Sequence, residues 1–269
     1  MMNLSLYQQD TAALLHDQAF LFTSPAQLNR WINEARTDIA KRTGCVRRLI
    51  TGQSAFGASA QPGHMIAGGI QPGALPNAFS DIQNGVAALD TAANPMQTIV
   101  GVERYPYQGF FNPLLRAQYA GLRGVIDTIE IAINWGGNFR PALTWMPWDD
   151  FQAYCRAYSN QTTSYPAVWS VFNDGEYGEI WLFPTPSQAN EIEADVSCIP
   201  ADLYSNDDFE ALPEGIQNAV KYKAASLAFL VGQRYAQAEA MENMFASALG
   251  VDMVAFDRGK TSNYYVGRF

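Results

Sequence analysis

Histidine and cysteine are the residue types that could bind a metal ion or act as nucleophiles in this chain. Only two histidines, His16 and His64, are present, and they share no ligand spacing with each other or with a cysteine. The sequence therefore predicts no zinc site. The three cysteines, Cys45, Cys155 and Cys198, are odd in number and widely spaced. This pattern indicates reduced thiols that pack as small apolar side chains, and no disulfide framework.

Acidic residues could perform acid–base catalysis where two of them converge on one substrate atom. The pair Asp149-Asp150 is interpreted as the first turn of a helix, and Asp207-Asp208 as part of a solvated loop. Carboxylates also alternate with apolar residues in a strand-like segment, where we expect a solvent-exposed acidic face: Glu191, Glu193 and Asp195. None of these acids has the partner that a mechanism requires. No nucleophile elbow, Walker loop or dinucleotide fingerprint is present, so the sequence predicts no enzyme and no catalytic, cofactor-binding or metal-binding residue.

Composition and charge narrow the class of protein. The chain has 269 residues, of which 48% are hydrophobic and 16% are charged, which is typical of a folded protein. Its formal charge of −9 argues against a protein that grips nucleic acid over its surface, although DNA could pass nearby without being held. We find no secretory signal and no run of about 18 apolar residues that could span a membrane. Synthesis in the cytosol is the expectation.

The segment 212–250 predicts one long helix, with Pro213 in its first turn and Gly250 at its end. Apolar residues recur there in steps of three and four: Ile216, Val220, Ala224, Leu227, Val231 and Tyr235. A second face has many short side chains: Ala219, Ala225, Ala236, Ala238, Ala240 and Ala246. They reflect either the helix propensity of alanine or a helix that packs once within its subunit and once against a neighbour in a ring.

The order of the remaining elements predicts an α+β fold. Helices are expected at 6–15 and from Pro25 to Gly44, and a third at 148–158. Strands are expected at 97–104, 122–134, 140–145 and 191–199, with a hairpin at 167–183 around Asn173-Asp174-Gly175. Residues 51–95 are rich in glycine, and form either an arm ordered by a partner or a surface segment with short strands. We therefore expect a discontinuous helical frame (1–50 and 200–257), a strand-rich insertion (51–199) and an extended C-terminal tail (258–269).

Several local phrases resemble the head-to-tail adaptor (connector) proteins of tailed bacteriophages. They are QLNRWINEAR at 27–36, WDDFQAY at 148–154, GEIWLFPTP at 178–186, VSCIPADL at 196–203, and LPE at 212–214 before the alanine-rich helix. The phrases cover about half of the chain, and their order and spacing carry the resemblance. The glycine-rich 51–95 segment and the large insertion exceed the small all-helical adaptors, and point to the larger versions in short-tailed phages.

The resemblance implies a structural virion protein at the neck, made in the host cytoplasm. Such adaptors assemble on the portal protein, usually as homo-oligomeric rings of 12 subunits, continue the DNA channel during genome ejection, and carry tail or nozzle proteins below. No cofactor is implied. The alanine face would be the subunit seam, at Ala219, Ala225, Ala236 and Ala240. The tail would bind the portal through basic and apolar residues: Arg258, Lys260, Tyr264, Tyr265, Val266, Arg268 and Phe269.

Two other functions stay open. The chain could be another neck or tail component, such as a tail terminator or nozzle protein, which would bind tail parts but not portal. It could also be an adaptor that degrades peptidoglycan, which would require a pair of carboxylates in a cleft.

Overall fold

The structure is a computed structural model that describes residues 2–17, 23–51, 97–119, 121–135, 140–158, 165–173 and 175–256. Two predicted features, the glycine-rich segment beyond residue 51 and the tail 258–269, lie outside the described residues. The chain forms two compact units. The helical unit consists of residues 1–46 and 200–269, and the strand-rich unit of residues 47–199.

The described residues form six α-helices and two sheets, a mixed architecture that is compatible with the predicted α+β class. The helices are α1 (Leu4–Leu14), α2 (Pro25–Thr43), α3 (Asn112–Gln118), α4 (Trp148–Ala157), α5 (Glu214–Val231) and α6 (Tyr235–Phe256). The strands are β1 (Arg47–Thr51), β2 (Arg104–Pro106), β3 (Leu122–Asn134), β4 (Thr144–Trp145), β5 (Val168–Phe172), β6 (Glu179–Phe183) and β7 (Glu191–Pro200).

Helix α2 has the ends that its sequence predicts. The Ser24 side chain accepts a hydrogen bond from the Gln27 amide, and the Gln27 side chain accepts one from the Ser24 amide, which forms a capping box. Gly44 ends the helix with a φ of 59°, a conformation that costs glycine little. The apolar residues that recur in steps of three and four along this helix are buried at Leu28, Ile32, Ala35 and Ile39, and half-buried at Trp31. These residues pack α2 into the core of the helical unit.

The prediction of one helix over 212–250 is wrong, because the chain turns back at residues 232–234, here called the link. Helix α5 ends with hydrogen bonds from the Gly232 amide to the Ala228 carbonyl (3.0 Å) and from the Arg234 amide to the Phe229 carbonyl (2.9 Å). Helix α6 then folds onto α5 and runs past Gly250 to Phe256. Burial of apolar residues between the two helices stabilises this hairpin.

Two sheets order the strand-rich unit, with strand orders β1-β7-β3 and β2-β6-β5-β4. The predicted strands at 122–134 and 191–199 and the hairpin of β5 and β6 are confirmed. The predicted strand at 97–104 is wrong, because Gly101, at a φ of 77°, turns the chain there and only residues 104–106 pair as β2. The predicted strand at 140–145 reduces to β4, and its first half contributes an isolated bridge from Ala142 to Ala132.

An aromatic cluster that the sequence analysis missed lies between β2 and β3. A single π-helical turn, Tyr107–Phe111, leads into α3 and buries Tyr107, Phe110 and Phe111. The rings of Phe110 and Phe111 meet edge to face, with centroids 4.9 Å apart. Two prolines and a glycine within residues 106–113 hide the helical period from a reading of the sequence.

Candidate interaction surfaces

The described residues place the candidate chemical groups apart from one another. His16 follows α1 with a φ of 57°, as expected for a residue that ends a helix, and His64 lies outside the described residues. The cysteines are free; burial raises the pKa of the Cys198 thiol to about 12 and also raises the pKa of Cys45. No cluster of histidine, cysteine and acidic residues in the described ranges could hold a metal ion. Of the described helices, none is long and apolar enough to cross a membrane.

A fully buried ion pair joins the two chain segments of the helical unit. Arg36 of α2 and Glu210 have no exposed side-chain surface, and their closest N–O distance is 2.9 Å. The guanidinium donates to both carboxylate oxygens of Glu210 and to the carbonyl of Ala201 (2.7 Å). Glu210 also accepts from the Leu212 amide at 2.9 Å. Such a bidentate, hydrogen-bonded geometry is the one that can offset the desolvation of two buried charges.

The chain between β7 and α5 is held in one shape by short polar contacts. Asn33 of α2 accepts from the amide of Leu203 and donates to its carbonyl. The Asp208 carboxylate accepts from the amides of Tyr204 (2.6 Å) and Ser205 (2.7 Å), and these bonds lower its pKa. Asp208 therefore lies in a solvated loop, as the sequence predicts, but it has a structural role there.

An ion-pair network fastens α6 to its neighbours. Lys223 of α5 lies 2.9 Å from Glu242 of α6 and 3.4 Å from Asp38 of α2. Arg42 of α2 also approaches Glu242 at 3.8 Å. Both Lys223 and Arg42 lie over the ring of Phe245, with cation–centroid distances of 5.3 and 5.7 Å. The inner face of α6 is thus defined by charge as well as by apolar contact.

The four residues predicted for the subunit seam do not share one surface. Ala219 and Ala225 are buried inside the subunit, and Ala225 packs with Phe229 and Ala238. Ala236 and Ala240 are exposed on the outer side of α6. The reversal of the chain at the link causes this separation, because it places two of the four predicted alanines on α5 and the other two on α6. The buried pair has no surface to offer a neighbouring subunit.

Exposed residues follow the outer side of α6 in steps of three and four, and here they are called the α6 stripe: Ala236, Ala240, Met244 and Ser247. Met244 is 49% exposed, although methionine is usually buried. Met244 is not among the predicted seam residues, although its four-residue spacing from Ala236 and Ala240 could have indicated it. Small side chains and a flexible thioether form a surface on which a second helix can approach closely. The tail residues predicted to bind portal, 258–269, lie outside the described residues.

The acidic face of β7 is paired, and the prediction of a solvent-exposed face is wrong. The alternation itself is correct, with Ile192, Ala194 and Val196 buried on the opposite face. Glu191 is buried and accepts from the Asn134 side-chain amide at 3.2 Å. Arg140 pairs with Glu193, and Arg47 of the neighbouring β1 pairs with Asp195. Arginines that lie far away in the sequence supply the partners, so these carboxylates are structural.

The strand-rich unit presents aromatic side chains next to α4. Trp148, which begins α4, packs against Phe172 and Trp181 with ring centroids 4.8 and 5.4 Å apart. Phe151 of this helix packs with Val168 of β5 and Phe183 of β6, and Tyr154 and Cys155 on the same side of the helix pack against them. Asp149 and Asp150 are exposed in its first turn, which confirms their assignment to the helix. Trp145 stays 55% exposed beside this cluster.

The comparisons with known proteins identify the family. The SU10 adaptor protein family matches residues 2–265, nearly the whole chain. A comparison with curated proteins gives no match. The family match confirms the resemblance to phage head-to-tail adaptors and assigns a structural role at the virion neck. The chain belongs to the SU10 adaptor protein family.

Proposed function

We propose that this protein is the subunit of a head-to-tail adaptor ring, which docks below the portal protein, continues the DNA channel and provides the attachment site for tail components. The family match over residues 2–265 is the observation that carries the proposal. The ring contains 12 subunits, its place is the virion neck, and its subunits are made in the host cytoplasm.

The helical unit would serve as the frame of the ring wall. Its two chain segments are joined by polar contacts of α2 with the residues that precede α5, including the buried Arg36–Glu210 pair. These contacts can hold the two chain segments together while a neighbour binds, because the Arg36–Glu210 pair has no exposed side-chain surface. The strand-rich unit is the insertion, and its aromatic surface around Trp145 and Trp148 is a candidate for the tail or nozzle protein.

The α6 stripe is our candidate for the subunit seam. It replaces the predicted set, because Ala219 and Ala225 are occupied inside the subunit. The stripe places Ala236, Ala240 and Met244 on one exposed side of a helix whose other side is fixed on α5. Small residues in such a row allow close backbone approach, and a bulky residue would hold the subunits apart.

Charge also supports a channel through which DNA slides. Binding to phosphates requires lysine and arginine, which release counterions from DNA. The chain has 17 of these residues against 26 acidic ones, for a net charge of −9. An acidic ring would surround DNA without holding it. The basic tail, 258–269, would instead order against the portal, in the role that the family resemblance gives it.

The test combines assembly with portal binding. Wild-type protein mixed with the portal of its own phage should give rings attached to portal in negative-stain images. Ala236→Trp should prevent ring formation while circular dichroism stays unchanged. Ala246→Trp is the matched control, since this exposed alanine lies on the same helix, roughly a third of a turn from the stripe. Equal assembly of both variants would reject the seam, and wild-type protein that binds tail parts but not portal would reject the adaptor.

A further inference from the structure

One stripe of apolar residues on α5 and α6 follows a single helical register straight through the link. Its buried members are Ile216, Val220 and Ala224 on α5, and Ala238, Phe245 and Leu249 on α6. Leu227, Val231 and Tyr235 connect the two sets in steps of three and four. Helix α5 also buries residues off this stripe, and two of them, Ala225 and Phe229, pack on Ala238. Two helices of a hairpin pack on each other without sharing a phase, because the turn between them can have any length. A continuous phase is instead the property of a single helix.

The link is short and contains an unfavourable backbone conformation. Gln233 has a φ of 58°, in the left-handed region. This conformation has a free-energy cost for any residue with a Cβ atom, and glycine would avoid that cost. Apart from Gly232, residues 227–240 contain no glycine or proline, so this stretch can also continue as a helix. A helical link would remove the left-handed residue and add backbone hydrogen bonds.

Large apolar side chains are exposed at the link. Leu230 is 47%, Val231 70% and Tyr235 67% exposed. Val231 and Tyr235 belong to the continuous apolar register, yet the turn leaves them without cover. In an opened helix, Val231 and Tyr235 would lie between the buried residues of α5 and those of α6. A second copy of the same helix could cover them there.

We propose that α5 and α6 open into one continuous helix on assembly, and that α6 of each subunit packs on α5 of the next copy. The inference rests on the ring of the proposed function. Contacts that close the hairpin, such as Lys223 with Glu242 at 2.9 Å, are re-formed between copies, so opening does not lose them. Exchange in one direction around the ring is a heterologous contact. Such contacts form a closed ring when the rotation between neighbouring subunits is a whole fraction of a full turn.

Zero-length cross-linking measures the exchange directly. A carbodiimide couples the Lys223 amine to the Glu242 carboxylate, since the two groups are in contact at 2.9 Å. Monomers grown with ¹⁴N and with ¹⁵N are mixed, assembled with portal, cross-linked and digested. Exchange predicts that about half of the 223–242 cross-linked peptides in rings carry both labels, and that those from the monomer fraction carry one. Rings whose 223–242 peptides carry only one label would overturn the exchange and leave the adaptor ring intact.

Two variants of the link should act in opposite directions. Gln233→Gly accepts the left-handed conformation, and should reduce the opening equilibrium about fivefold and slow ring formation. Gly232→Ala with Gln233→Ala favours the helix, and should raise that equilibrium by at least about fivefold, giving oligomers in size-exclusion chromatography without portal. If both variants assemble as the wild type does, the exchange is refuted. Binding of the wild type to portal is scored separately, so a failure of the proposed function is recognised independently.

Discussion

Removal of the Glu210 carboxylate should destabilise the helical unit more than removal of one partner of any exposed ion pair. In Glu210→Ala, the Arg36 guanidinium stays fully buried and keeps only its bonds to the Ala201 carbonyl and the Asn33 side chain. Breaking one side of a buried pair typically costs about 3–5 kcal/mol. The Leu212 amide also loses its acceptor, which adds about 1 kcal/mol. Since whole domains are stable by only about 5–15 kcal/mol, we expect a decrease in melting temperature of roughly 10–20 °C.

The two units can be followed separately during unfolding. Five of the six tryptophans lie within residues 47–199, so tryptophan fluorescence reports mainly on the strand-rich unit. The longest helices belong to the helical unit, so circular dichroism at 222 nm reports mainly on that unit. Urea titration of Glu210→Ala should shift the dichroism transition further than the fluorescence transition. Two-state analysis applies to each transition by itself.

Controls separate the buried charge from ordinary surface effects. Asp10→Ala removes the partner of Lys221 in a partly exposed pair of the same unit, and should cost only about 0.2–1 kcal/mol. The double variant Arg36→Met/Glu210→Met should be more stable than Glu210→Ala, because no unpaired charge remains in the interior. If Glu210→Ala costs no more than Asp10→Ala, the buried pair contributes little and the reasoning is refuted.

Three further predictions concern other parts of the chain. Glu191→Lys should cost about 2–4 kcal/mol, because it puts an ammonium beside Arg140 at a buried position; a fluorescence transition like that of the wild type would contradict the pairing. Alkylation at pH 8 should modify Cys155 before Cys198. The pKa of folded Cys198, about 12, exceeds the ordinary thiol pKa of about 8.5. The contribution of the neutral Cys198 thiol to stability should therefore be complete below about pH 8.5 and should be lost as the pH rises toward 12. Deletion of residues 258–269 should leave both unfolding transitions unchanged and abolish portal binding; binding equal to that of the full chain would show that the tail has no such role.

Local signals predicted those elements whose ends and faces depend on nearby residues. Ser24, Pro25 and Gly44 determine the ends of α2 within the first and last turns. The β-branched run of β3 is long enough to be recognised alone, and the Asn173 and Gly175 positions have the positive φ angles that the hairpin requires. In each case the decisive interaction lies within a few residues of the chain.

Features that depend on distant residues could not be predicted in the same way. The acids of β7 have the spacing of a solvated face, but Arg47 and Arg140 are brought to them by the sheet. The 212–250 segment has an apolar stripe with one register throughout, but the turn at Gln233 brings Ala238 against Ala225 and Phe229, which lie more than eight residues earlier in the chain. Nor could the sequence show that Ala225 faces inward while Ala236 faces outward, since that depends on the turn.

The pattern of long-range polar contacts explains how a large insertion is compatible with a coherent helical unit. Asn33, Arg36 and Asp10 of the first segment contact Leu203, Glu210 and Lys221 of the second. Both partners of each contact belong to the helical unit, so the two segments that flank the insertion in the sequence contact each other directly. The insertion in turn begins and ends on paired strands, with Arg47 opposite Ser197, so the chain leaves and returns at neighbouring positions. Loop-closure entropy grows only slowly with the length of an insertion, and the pairing of β1 with β7 holds the two ends of the insertion together. The length of the insertion therefore adds little to the free-energy cost of bringing the two segments of the helical unit together.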